Sequence, residues 1–294
     1  MKKTKASSTD RLFKIFVYVA LITLAVSIIV PVFWVFMASI KENAEFYANP
    51  WALPKGFYFQ NFVNAFQAAK MGDFILNSVI VTALALVILL VVALPASYVL
   101  ARFTFVGKKF FNTLFMAGLF INVNYIVVPI FLMLRGWDDV VWEIFGGGFF
   151  LNNIVVLAIV YAATALPFTI YLLAGFFRTL PKAYEEAAAI DGCGHFKTMV
   201  KVMFPMAKPS IITVILFNFL AFWNEFIVAQ TLMTQESART LTVGLMNLMQ
   251  AARGKAEYGR LYAGLVIIML PTLLLYIAVQ KKLTQGMTLG GLKD

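Results

Sequence analysis

Six stretches of this 294-residue chain stay apolar over approximately 15–38, 74–101, 110–134, 151–177, 210–233 and 261–280. Each is long enough to cross a hydrocarbon core, which takes about 20 residues of helix. None alternates with the period of a strand, and backbone inside lipid must satisfy its own hydrogen bonds, so each stretch predicts a helix. Between them the chain turns polar and basic. With the N-terminus in the cytosol, 16 of the 24 lysines and arginines fall in inner segments and 8 in outer ones, the bias of the positive-inside rule. The pattern predicts an all-α polytopic membrane protein with both termini cytosolic. It divides into a leading segment 1–14, a six-helix domain 15–280 and a tail 281–294. The first run follows Lys2, Lys3, Lys5, Arg11 and Lys14. It is too long for a signal-peptide core and no small-residue cleavage site follows, so it reads as a retained span bent at Pro31.

Composition sharpens the class. Hydrophobic residues make up 62% of the chain and charged residues 13%, against about 45–50% and about 25% in soluble domains. The net charge of +10 sits at alternate ends of the apolar runs rather than on one continuous basic face. It therefore reads as topology, not nucleic-acid binding. A single cysteine (Cys193) and a single histidine (His195) exclude a disulfide framework and argue against a metal cluster. His195 marks only the turn after Gly192. Lys197-Thr198 superficially suggests a phosphate loop, but Phe196 stands where the second glycine must be. No HExxH or GxSxG is present. No energy-converting chemistry of the chain's own is visible in the sequence. In the outer loop 41–73, Trp51 and Phe57-Tyr58-Phe59 read as interfacial anchors, with docking of an external partner as the alternative. Residues 135–150 read as an outer turn.

Acid is rare on the inner side: Asp10, Glu185, Glu186, Asp191 and Asp294, three of the five within seven residues of the loop 178–209. Helical spacing puts Glu186 and Ile190 on one face with Ala183 and Ala187 beside it. Gly192 suits a helix terminator, and Pro205 and Pro209 are expected to end the next short helix. A rigid helix–turn–helix would then lie along the membrane, its glutamates offered to an arginine of a soluble partner. A solvated connector is the alternative.

Within the spans, Glu225 lies about 15 residues into the fifth, roughly 22 Å along it and past the midplane. Intramembrane acids are functional candidates by default. Sugars bind to planar amides, carboxylates and aromatic faces, so Asn218, Trp223, Asn224, Glu225, Asn122, Asn124 and Tyr125 are candidates to line a pathway. Hydrogen bonding between helices is the competing explanation.

Glu186-Ala187-Ala188, Asp191-Gly192 and Val202-Met203-Phe204-Pro205 resemble the EAA signature of ATP-binding-cassette importer permeases. That signature reads E-A-A, two residues, D-G, nine residues, then I-x-L-P. The spacing matches throughout, with valine and phenylalanine in place of isoleucine and leucine. Similarity extends from about residue 40 to 293, through Asn77-Ser78, Tyr98 to Phe103 and Trp223-Asn224-Glu225-Phe226. The tail, Gly286-Met287-Thr288-Leu289-Gly290-Gly291-Leu292-Lys293, looks like the ending of the second permease in carbohydrate importers of the maltose-transporter type.

The resemblance implies a type I importer permease fold in the cell membrane, forming half of a pore for a sugar, in particular an oligosaccharide. It implies a second homologous permease, two cytosolic ATPase subunits that bind the ATP and Mg, and an extracytoplasmic sugar-binding protein. The chain itself would be no enzyme. Glu186, Ala187, Ala188, Asp191 and Gly192, with Glu185 beside them, would form the coupling element, and Gly286, Gly290, Gly291 and Lys293 a second ATPase contact. The same machine carrying a polyol or a sugar phosphate is one alternative. An ion-coupled carrier is another, although only Glu225 offers it an intramembrane acid and no internal repeat is visible.

Overall fold

The computed structural model of the chain describes residues 8–68, 71–246, 249 and 257–291. The described residues form helices joined by turns, in two compact units: Met1–Ala69 with Asn247–Met269, and Lys70–Met246 with Leu270–Asp294.

In the first unit, α1 (Ser8–Ser39) is apolar all round and has no buried stretch from Arg11 through the middle of the helix. A helix of that kind suits lipid rather than water. After it come α2 (Asn43–Ala48) and α3 (Gln60–Ala68). The rings of Trp34, Phe46, Trp51 and Tyr262 pack with centroids 5.0–6.0 Å apart. Lys41, which sequence counts only as an outer topology charge, is fully buried here. Its Nζ donates to the carbonyls of Asn49 at 3.3 Å and Pro50 at 3.0 Å. The segment after α1 is thus folded on itself, with internal acceptors for the buried Lys41.

In the second unit, α4 (Met71–Arg102) and α7 (Ile154–Thr179) pack along much of their length, with α11 (Lys208–Trp223) against both. Their common core holds Ala85, Leu89 and Ala93 from α4 and Leu157, Ala158, Ala162, Leu173 and Phe177 from α7. The alanines among them let membrane helices approach closely.

Two of the six expected spans are not single helices. The third is α5 (Lys108–Gly118) followed by α6 (Val123–Phe145), bent by 104°. Residues 135–145 therefore continue α6 instead of forming a turn. Asp138 on α6 accepts from the backbone of Phe149 and, at 2.7 Å, of Phe150, which ties the loop after the helix back onto it. The fifth expected span ends as α11 at Trp223, and α12 (Ile227–Leu232) starts anew. Beyond it lie a 3₁₀ turn (Glu236–Ala238), α13 (241–246) and α14 (Tyr258–Gly291). Four described helices are long and apolar enough to cross a membrane, and up to six spans result if two bent pairs are each counted as one: α5 with α6, and His195–Met206 with α11, bent by 75°.

Candidate functional site

The acidic segment of the loop is α8 (Ala183–Ile190), with Glu185 and Glu186 in its first turn, where negative charge complements the helix dipole. It ends in a Schellman turn. Gly192 sits at φ +74°, its N–H donates to Ala189 at 3.0 Å, and the Cys193 N–H donates to Ala188 at 2.8 Å. That conformation is natural for glycine and strained for other residues. Ala188 is buried, whereas Glu186, Ala187 and Ile190 face outward, Ile190 at 87% exposure.

The next helix runs from α9 (His195–Thr198) through a π turn (Met199–Met203) to α10 (Phe204–Met206). Pro205 does not end it, contrary to the sequence expectation. The π turn pairs the Phe204 N–H with Met199 and opens the ladder just before a residue that has no N–H to give. The break comes at Ala207, and Pro209 lies in the first turn of α11, where it costs no hydrogen bond. Phe196 on α9 is 75% exposed. Ile190 and Phe196 therefore present two bare apolar side chains on a polar loop.

Sequence alone offers both glutamates to an outside arginine. In the fold, Glu185 meets Arg102 of its own chain, and Glu186 is left facing outward. Arg102 ends α4, and its Nε donates to the Glu185 oxygens at 3.1 and 2.9 Å while Nη2 donates to Oε2. Nη1 reaches the Leu180 carbonyl at 3.0 Å and the Phe177 carbonyl at 3.4 Å. The Tyr98 hydroxyl donates to Glu185 Oε1 at 2.8 Å. Burial opposes ionisation of Glu185, but the hydrogen bonds from Arg102 and Tyr98 and the charges of Arg102 and Lys182 outweigh it. The carboxyl is held below the ordinary carboxylate range. The sequence marks Tyr98 and Arg102 only as part of the Tyr98–Phe103 stretch that carries the resemblance and not as site residues; their spacing of four places them on one helix face.

All the intramembrane candidates but Asn218 lie at the two helix breaks. At the first, Asn122 caps α6 by accepting from the Asn124 N–H at 3.0 Å. Asn124 and Tyr125 are exposed, Tyr125 at 83%. A cavity of about 300 Å³ lies beside this break, lined by Gly118, Ile121, Val123, Ile126, Ile130, Ala163, Thr164 and Pro167; none of the polar candidates lines it. At the second break, Glu225 caps α12, accepting from Val228 at 2.8 Å, Ala229 at 3.0 Å and the Tyr161 hydroxyl at 2.9 Å. Exposed Asn224 donates to the Leu220 carbonyl at 2.8 Å. Buried Trp223 stacks on Phe219 at 5.7 Å. Asn218 is buried on α11 and donates to Thr169 of α7 at 3.1 Å and to Val214 at 2.8 Å. Gly286, Gly290 and Gly291 lie in the last turns of α14, and Lys293 lies outside the described residues.

This architecture is that of a polytopic α-helical protein. A solved chain of a bacterial ABC transporter involved in the import of the acidic polysaccharide alginate has the same fold. Its TM-score is 0.78 over 95% of this chain and 99% of that one, at 23% identity. Residues 93–288 match the family described as binding-protein-dependent transport system inner membrane component, and the chain belongs to that family. It is a permease subunit of an ABC importer, with ATP hydrolysis in a separate subunit. It is 37% identical to the diacetylchitobiose uptake system permease protein NgcG of Streptomyces coelicolor, over 97% of this chain and 91% of that protein. It is 27% identical to the trehalose/maltose transport system permease protein MalG of Thermococcus litoralis, over 95% and 97% respectively.

Proposed function

We propose that the chain forms half of the translocation pore of an oligosaccharide importer and takes its driving force from a cytosolic ATPase at α8. The observation that carries this reading is the outward face of α8, where Glu186, Ala187 and Ile190 are exposed on a helix closed by a left-handed glycine. A rigid, charged and partly apolar finger suits a cleft in another protein. The inner concentration of bases supports placing this loop and both termini in the cytosol, with two ATPase subunits below and a sugar-binding protein on the opposite side. A second, homologous permease would complete the pore. The glycines closing α14 and the residues after them would provide a second ATPase contact.

Diacetylchitobiose and trehalose or maltose, named in the relatives above, favour an oligosaccharide as cargo. The helix breaks support a pathway beside them. Non-helical backbone at membrane depth is tolerated only when buried in protein or facing water. Exposed Asn124 and Tyr125 then offer an amide and an aromatic face to a passing sugar. Asn218 and Glu225 serve the packing of helices. Because Glu225 is already committed to three hydrogen bonds, an ion-coupled carrier loses its one candidate acid.

The test is uptake by the complete complex in proteoliposomes, using labelled diacetylchitobiose, maltose, trehalose, glycerol and glucose 6-phosphate. ATP-dependent uptake of a saccharide is expected. Uptake confined to the polyol or the sugar phosphate, or driven by an ion gradient without ATP, would overturn the reading.

A further inference from the structure

The geometry points to Arg102 as the positioning residue of coupling: it makes the adjoining ends of α4 and α7 move as one body with α8. This rests on the docking of α8 proposed above, and it adds what happens to a displacement after α8 receives it.

Three elements meet at one guanidinium. Arg102 belongs to the last turn of α4, holds Glu185 of α8 through Nε and Nη2, and holds the end of α7 through the carbonyls of Phe177 and Leu180. Tyr98, one turn earlier on α4, holds the same carboxylate. The second helix of the loop joins through rings. Phe103 meets His195 edge-on at 5.4 Å, and Tyr98 meets Phe177, which meets Phe204 at 6.2 Å. Exposed ion pairs contribute little, but the Arg102 side chain is only 7% exposed and that of Glu185 24%. The arrangement also needs arginine specifically. A planar fork can serve a carboxylate and two carbonyls together, whereas an ammonium is a point charge.

The mechanical need is plain from the chain. α8 is eight residues long and joins α7 through the short stretch Leu180–Lys182. Without the tie, a partner pushing on α8 would swivel it about that stretch and leave α4 and α7 where they stand. With the tie, the push reaches both long helices.

The experiment compares R102Q, R102K and E185Q in the full complex. It reads three things: retention of the ATPase subunit on purification, ATP hydrolysis, and sugar molecules carried per ATP hydrolysed. All three variants are expected to keep the ATPase subunit and to hydrolyse ATP, while sugar carried per ATP falls about tenfold. If the tie only stabilises the fold, less complex assembles but the assembled fraction carries wild-type sugar per ATP; that result overturns the proposal. Wild-type transport per ATP in R102K alone would overturn the requirement for a fork. Glu186→Lys reports separately on docking. It is expected to strip the ATPase subunit from the complex, and if it does not, the docking reading falls whatever the Arg102 variants do.

Discussion

Glu185 and Glu186 are adjacent in sequence and opposite in role, because consecutive residues on a helix point about 100° apart. Glu185 turns inward to Arg102 and Tyr98; Glu186 faces out. The lowered pKa of Glu185 makes its contact a source of stability that is complete above the ordinary carboxylate pKa. That contribution disappears as pH falls through the lowered value. Thermal melting of the purified complex should therefore separate wild type from Glu185→Gln at neutral pH and bring them together in acid. Glu225→Gln should leave one of the Val228 and Ala229 amides without its acceptor, at a cost of about 1–3 kcal/mol. A lower Tm with unchanged sugar selectivity is the expected result. Glu186 and Gly192 are legible in sequence because their signals are local: spacing on one turn, and a glycine where a helix must stop. The partner of Glu185 is not legible, since Arg102 lies 83 residues away and only the packing of α4 on α7 brings it there.

Among the elements, hydropathy measures how apolar a run is and not whether it is one helix. The six spans were therefore readable as apolar lengths, while the breaks after Gly118 and Trp223 were not. Asn122 leaves a trace as an N-cap residue, but within an apolar run it looks like a pathway amide. The first break also depends on close contact: a Cβ on Gly118 would come within 2.7 Å of the Pro167 ring. Gly118→Ala should cost about 1–3 kcal/mol through overpacking, read as a lower Tm of the complex. Gly192→Ala meets no neighbour but inherits φ +74°, a strain of about 1–2 kcal/mol. It should loosen the end of α8 and weaken retention of the ATPase subunit without changing membrane insertion.

At the scale of the whole molecule, the proposed function requires bases on the inner side and α8 on that same side, within reach of a cytosolic ATPase. Cys193 is the single cysteine and is partly exposed, just after α8. A membrane-impermeant maleimide should therefore label it in inside-out vesicles and not in right-side-out ones; the reverse would invert the topology. The central claim is that the outward face of α8 touches the ATPase, and its most direct test is a photo-crosslinker placed at Ala187 in the assembled complex. The account predicts capture of the ATPase subunit, abolished by Glu186→Lys. An assembled, transporting complex in which Ala187 captures no ATPase subunit would contradict it.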